Sequence, residues 1–188
     1  MRYFHLLILF CLCAVSQTFS QNTELRKLRE EDQAAQRGAA NIPRSDNDRA
    51  KLVLQLLAQG AAKTPEDKFN AALVLEHTPL TFCGERMISY GSYNYLLAHY
   101  LAKEAFEGGF KDAGILVAAA IDRYLSFTEG HQKYGTNRII NQKTGAEELV
   151  PIDRDVPDSE RAKYGVPPLA QLLKMYPEQK RENSTGKK

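Results

Sequence analysis

Two apolar stripes with helical spacing adjoin in the middle of the sequence, and only Gly108-Gly109 separates them. The first stripe lies in residues 92–109 and the second in residues 110–127; their members are Leu96, Leu97, Tyr100, Leu101 and Ala105, then Phe110, Ala113, Val117, Ala120, Ile121 and Tyr124. Apolar residues that recur every three and four positions lie on one face of a helix. Because the link is so short, the sequence predicts two helices folded back on each other as an antiparallel hairpin.

Capping and stop signals predict further helices on both sides of this hairpin. The three upstream helices begin at Asn22 or Thr23, at Ser45 or Asp46 and at Thr64, and end at Gly38, Gly60 and near His77. The two short downstream helices run from near Pro157 to Gly165 and from Pro168 to Tyr176, the latter with Leu169, Leu172 and Leu173 facing inward. Residues 80–91 are interpreted as a connector.

Residues 136–152 follow a different pattern. Two isoleucines precede a Lys-Thr-Gly turn, and Leu149, Val150 and Ile152 follow it, which is typical of a β-hairpin. The segments "NAALVL" at 70 and "DAGILV" at 112 resemble each other, which favours hairpins that stack. We therefore expect a mainly α fold of stacked antiparallel helical hairpins, with one small β-hairpin near the C-terminal third.

The first twenty residues have the pattern of a secretory signal peptide: Arg2, an apolar run over 6–15, then small residues. The run is too short to cross a bilayer of roughly 30 Å. Cleavage before Gln17 and before Gln21 both fit the small-residue rule. Cys13 would suit a lipidated form, but the bulky Leu12 before it argues against that alternative. The sequence thus predicts an exported protein.

The mature chain is expected to form a single helical domain over 21–176, followed by a disordered charged tail over 177–188. It contains no second long apolar run, so we expect no membrane span there. Cys83 is the sole cysteine left after the signal peptide, which leaves no internal disulfide, and we expect it to be a small buried apolar residue. The formal net charge of the full chain is +2, and nothing in its distribution indicates a nucleic-acid partner.

The sequence has no nucleophile elbow, phosphate loop, dinucleotide fingerprint or zinc-type cysteine pairs, and its histidines are not closely spaced. We therefore expect no metal and no cofactor. The candidates for acid–base catalysis are Glu76, His77, His99 and Asp122, because histidine and carboxylate side chains can transfer protons near neutral pH. Structural alternatives stay open: His77 can interact with a helix C-terminus, and Asp122 or Arg123 can hold the neighbouring loop.

The segment "GHQKYGTN", residues 130–137, directly follows the second helix of the central hairpin. It supplies the remaining candidate binding residues, which are Gln132, Tyr134, Thr136 and Asn137, together with Arg123 on the helix before it. We predict that this loop packs on the helix ending near Phe127, with Gln132 or Tyr134 hydrogen-bonded to that helix or its partner. A loop so fixed is structural, although it can also form the rim of a pocket.

Five short motifs taken together resemble a bacterial family, domain of unknown function family 6624. They are Glu76-His77, the Ala-His-x-Leu-Ala segment over 98–102, the Asp-Arg-x-Leu segment over 122–125, the block over 132–137 with Asn137 in place of a final glutamine, and Pro-Pro-Leu over 167–169. The resemblance covers roughly residues 25–176. It implies a mostly helical, exported bacterial protein, so the expected compartment is the periplasm or the cell exterior. It implies no activity.

Two functional hypotheses follow. The first is an exported helical module that binds a protein or peptide of the cell envelope, since stacked helical hairpins commonly leave an extended binding surface. The alternative is a hydrolase-like enzyme with a histidine and carboxylate site drawn from the four acid–base candidates. Only the spatial arrangement of these side chains can distinguish the two hypotheses.

Overall fold

The computed structural model describes residues 20–83, 86–89 and 91–179. The helices are α1 Thr23–Gln36, α2 Asp46–Ala58, α3 Pro65–Glu76, α4 Ser92–Glu107, α5 Gly114–Thr128, α6 Asp158–Lys163 and α7 Leu169–Met175. The strands are β1 Thr81–Cys83, β2 Arg86–Ile88, β3 Arg138–Ile140 and β4 Glu147–Leu149. Residues 1–19 of the predicted signal peptide and residues 180–188 of the predicted tail lie outside the described residues.

The upstream helices begin where side chains satisfy free backbone N–H groups. Asn22 accepts hydrogen bonds from the N–H groups of Glu24 and Leu25 at α1, and Ser45 accepts one from Asp48 at α2. At α3, Thr64 and Asp67 form a reciprocal capping box. These local bonds explain why the helix starts were readable from the sequence.

The central hairpin is confirmed. Helices α4 and α5 pack along each other after a short 3₁₀ turn over Lys111–Ala113, and α3 packs on the other side of α4. Helices α1 and α2 cover α3. The α4 residues that face this core are Tyr95, Ala98, Ala102 and Ala105, so small side chains let the neighbouring backbones approach closely. The mainly α fold with a small β-hairpin is therefore confirmed.

Some predicted burial is wrong. Tyr100 is 54% exposed, because it lies about 200° around α4 from the buried Ala98. Leu173 is exposed as well, since α7 buries Leu172 and the next residue points about 100° away. Cys83 is exposed on the short strand β1, so the expectation of a buried cysteine is also wrong.

Two antiparallel β-hairpins are present among the described residues. The predicted one is confirmed: Arg138 pairs with Leu149, and Ile140 pairs with Glu147. The other, β1 with β2, lies in the segment interpreted as a connector, where the sequence analysis missed it.

The predicted start of the tail also needs correction. Leu149 N–H donates to the carbonyl of Pro177, and Gln179 N–H donates to the carbonyl of Leu149. Residues 177–179 therefore extend the ordered domain and lie beside β4. None of the helices in the described ranges combines the length and the apolar character needed to cross a bilayer.

Candidate functional site

Asp122 anchors the loop over residues 130–137. It is fully buried on α5 and accepts hydrogen bonds from four successive backbone N–H groups, those of Lys133, Tyr134, Gly135 and Thr136, at 2.7–2.8 Å. The Thr136 hydroxyl adds another bond at 2.8 Å. Gly135 has a φ of 100°, which lets consecutive N–H groups converge on one carboxylate. The loop is thus wrapped around a side chain of α5.

Every partner of the Asp122 carboxylate is a donor, as an ionised, acceptor-only group requires. Burial raises the pKa of Asp122, and the hydrogen bonds from Thr136, Tyr134 and Lys133 oppose that effect. Because all the donors come from one short loop, the carboxylate has no oxygen free for chemistry on a substrate. The structural alternative for Asp122 is the one that the geometry supports.

Gln132 joins the loop to the segment after β4. Its amide nitrogen donates to the carbonyls of Asn137 and Val150 at 2.9 and 2.8 Å, and its amide oxygen accepts from Asn137 N–H at 2.7 Å. Its backbone N–H donates to the carbonyl of Pro151, and its backbone carbonyl accepts from the N–H of Asp153. The fully buried side chain is therefore satisfied within the protein.

Tyr134 is buried and contacts α6. Its hydroxyl donates to Glu160 at 2.8 Å, and burial, followed by this hydrogen bond, raises its pKa to about 12. The fully buried Arg161 donates to the carbonyls of Tyr134, Lys133, Val156 and Asp153. The prediction that the loop packs on α5 is confirmed. Tyr134 bonds to α5 through its backbone N–H, however. The Gln132 side chain bonds to Asn137 and to Val150, the residue after β4.

A separate polar cluster lies where α3 ends. His77 Nδ1 is 2.7 Å from Asp32 Oδ2 on α1, and His77 Nε2 is 3.2 Å from Glu76 Oε2. Arg123 on α5 lies 2.9 Å from Glu76 Oε1 and donates to the Glu76 carbonyl at 2.8 Å. Arg49 on α2 lies 3.8 Å from Asp32 Oδ1. This set, which we call the His77 cluster, connects four helices.

The pKa values of His77 and Glu76 in this cluster are both raised. Burial tends to lower the pKa of His77, but the hydrogen bond to Asp32 and the charges of Glu76 and Asp32 outweigh it, so the pKa is raised. Burial raises the pKa of Glu76 against the opposing charges of Arg123 and His77. Asp32 has almost no exposed surface, and the His77 side chain is 20% exposed. The raised pKa favours the charged imidazole, which lies between the carboxyl groups of Asp32 and Glu76.

His99 is in a different environment. Its Nδ1 is 2.8 Å from the carbonyl of Val117, which fixes Nδ1 as the donor and leaves Nε2 as an acceptor. Burial lowers the pKa of His99, although the bond to Val117 partly opposes this. Nε2 has no hydrogen-bond partner within the described ranges. The bond to Val117 thus orients the His99 ring, and the lowered pKa favours its neutral form.

The structure therefore divides the four acid–base candidates. Glu76 and His77 lie together with Arg123, Asp122 is enclosed by its loop, and His99 is bonded to Val117. Sequence analysis missed Asp32, although a signal existed: Asp32 continues the apolar edge of Leu25 and Leu28 at helical spacing, and a charged residue there indicates a buried partner.

Tyrosine side chains form an exposed surface on the outer side of the α4–α5 hairpin. Tyr93 is 76% and Tyr100 is 54% exposed, and a spacing of seven residues places both on one face of α4. The Tyr93 ring lies 6.4 Å from the half-buried Tyr124 ring of α5, and the His99 ring lies 5.4 Å from that of Tyr100. We call these three tyrosines with His99 the tyrosine face.

Comparison of the chain with family models, curated proteins and solved structures gave no match. Membership of the family suggested by the five motifs stays a prediction.

Proposed function

We propose that the protein is an exported helical module that binds a protein or peptide segment of the cell envelope through the tyrosine face. The observation that carries this proposal is the exposure of Tyr93 and Tyr100 on α4, the helix that packs between α3 and α5. A rigid central helix holds exposed aromatic side chains at fixed positions, which limits the entropy lost on binding.

The chemistry of the surface suits a peptide ligand. Tyrosine is enriched at protein interfaces because its ring gives a large contact area and its hydroxyl can hydrogen-bond. The tyrosines lie about 10 Å apart along α4, which is the length of about three residues of extended chain. His99 Nε2 adds an acceptor beside Tyr100 for a backbone N–H of the ligand.

The hydrolase alternative has less support. It draws a histidine and a carboxylate from Glu76, His77, His99 and Asp122; Glu76 and His77 are in contact, whereas His99 bonds to Val117 and Asp122 to loop 130–137. In the part of the chain that the structure describes, no serine, threonine or cysteine is hydrogen-bonded to His77. Glu76 and His77 are accounted for as members of the interhelical cluster.

Photo-cross-linking in the envelope of a bacterial host tests the proposal. A photoreactive amino acid is placed at Tyr93 or Tyr100, with Leu54, an exposed apolar residue on α2, as the matched control position. We expect one discrete cross-linked product at each tyrosine position and none at position 54. Equal products at all three positions, or none at either tyrosine, would overturn the proposal.

Export itself is tested by the mature N-terminus. N-terminal sequencing of the protein recovered outside the cytoplasm is expected to begin at Gln17 or Gln21. Recovery of the chain in the cytoplasm with residues 1–16 intact would contradict export.

A further inference from the structure

Helix α1 buries few of its side chains. Only Leu25, Leu28 and Asp32 are buried among its residues, and it packs mainly on α3. Two leucines bury little apolar surface for a helix of 14 residues. The third buried side chain is a carboxylate, so part of the docking of α1 depends on the charge state of the group that Asp32 faces. Arg44, paired with Glu24 and Glu31, and the Asn22 N–H, bonded to Asp67, supply contacts that do not involve Asp32.

That group is His77. The hydrogen bond to Asp32 from another helix comes from His77 Nδ1 at 2.7 Å. Gln33, which also donates to Asp32, belongs to α1 itself. Arg49 Nε is 3.8 Å from Asp32 Oδ1, too far for a hydrogen bond, and its other nitrogens bond to Asp46 and to the Arg44 carbonyl.

The groups around His77 come from every neighbouring helix. Asp32 of α1 and Glu76 of α3 contact the ring directly. Arg123 of α5 is paired with Glu76, and Arg49 of α2 lies near Asp32, so each arginine is linked to the ring by a carboxyl group. On α4, the hydroxyl of Tyr95 donates to the Thr78 carbonyl beside the cluster. Among these groups, His77 is the one that titrates near neutral pH and contacts α1.

Neutral imidazole cannot satisfy both of its partners. It has one N–H, whereas His77 has a carboxylate at each ring nitrogen. If the remaining proton stays on Nδ1, the bond to Asp32 is kept and the Nε2 lone pair faces Glu76. The positive charge is lost in either tautomer, so the attraction that holds Asp32 against α3 weakens.

We propose that His77 is a proton-controlled latch, tighter when the imidazole is charged and weaker when it is neutral, that sets how firmly α1 docks on α3. The 20% exposure of the His77 side chain lets protons exchange with solvent while α1 stays docked. The latch is independent of the tyrosine face, because its contacts join α1 and α3 rather than the outer side of α4 and α5.

The sign of the pH dependence follows from proton linkage. The pKa of His77 is raised in the docked state above its usual 6.5, so docking is strongest below about pH 6.5. The equilibrium constant for opening α1 then rises by up to about tenfold per pH unit, until the pH passes the docked-state pKa. Above the docked-state pKa, the equilibrium constant for opening α1 no longer changes with pH.

Hydrogen exchange measured by mass spectrometry tests the latch. Amide protection of α1, corrected for intrinsic exchange rates, is measured between pH 6 and pH 8.5 and compared with that of α5. Wild type is expected to lose α1 protection as the pH rises, with α5 unchanged. His77→Gln is expected to show low α1 protection with no pH dependence, because glutamine is always neutral.

Two further variants complete the test. His131→Gln is the matched control, since His131 is a partly exposed histidine whose charged neighbour is Glu129, and it should behave as wild type. Asp32→Asn removes the carboxylate that His77 contacts. It should also give low α1 protection that does not change with pH, and it serves as the test if His77→Gln does not fold. Wild-type α1 protection that is constant with pH, or an Asp32→Asn or His77→Gln protein that keeps the wild-type pH profile, would overturn the proposal.

Discussion

Replacing Asp122 by asparagine keeps the shape of the side chain and removes half of its acceptor capacity. Oδ1 accepts from Lys133 and Tyr134, and Oδ2 accepts from Gly135 and twice from Thr136. An amide has one oxygen, so its NH₂ group must face two or three donors of the loop. The expected result is a destabilised domain whose loop comes away from α5.

The magnitude follows from the number of donors left unpaired. A buried donor without an acceptor costs about 1–3 kcal/mol, so two or three of them cost about 2–9 kcal/mol. Removing the buried charge offsets part of this, since burial itself disfavours the ionised form and raises the pKa of Asp122. We expect a loss of about 3 kcal/mol, a large part of the 5–15 kcal/mol typical of a domain.

Urea denaturation of Asp122→Asn beside wild type measures this loss as a lower midpoint at an unchanged slope. Asp155→Asn, at an exposed aspartate in the turn before α6, is the control and should change stability by less than about 0.5 kcal/mol. A loss below about 1 kcal/mol for Asp122→Asn would refute the claim that this carboxylate anchors the loop.

Other consequences of the structure can be measured on single variants. Tyr134→Ala should cost about 3–5 kcal/mol in a melting experiment, because the ring is buried; an unchanged melting temperature would indicate a mobile lid. Arg161→Met should cost about 3 kcal/mol or more, since it leaves several buried carbonyls without a donor, and a wild-type midpoint would contradict this. In an NMR titration His99 should show a pKa below 6.5 and His77 one above it, and the reverse order would contradict the two environments.

Features that depend on neighbouring residues were predictable from the sequence. Asn22, Ser45 and Thr64 cap helices within three residues of themselves, and the short Gly108-Gly109 link brings α4 and α5 together. Their energetics are local, so a single sequence contains the information.

Features that depend on distant residues were not predictable. The contact between Asp32 and His77 joins residues 45 positions apart, and nothing in either segment specifies the other. Tyr100 belongs to an apolar pattern that also fits a helix buried on more than one side, and only the packing of α3 and α5 shows which side is free. Strands of three residues, such as β1 and β2, are too short to give a periodic signal.

Loop 130–137 also formed contacts that the sequence only partly predicted. Its composition indicated fixed contacts with α5, and these are present. The use of backbone N–H groups as the donors to Asp122 was not visible, because every residue except proline carries that donor. A site built from backbone groups has almost no sequence signature beyond the glycine that permits the turn.

The central claim is that the ligand contacts the tyrosine face, whereas loop 130–137 is structural. Hydrogen exchange of the protein with and without the cross-linked partner, as a purified complex, tests it most directly. We predict that complex formation slows exchange in α4 over residues 93–100 and in α5 near Tyr124, and leaves residues 132–137 unchanged. Slowed exchange at residues 132–137 or at the His77 cluster, with α4 unaffected, would contradict the account.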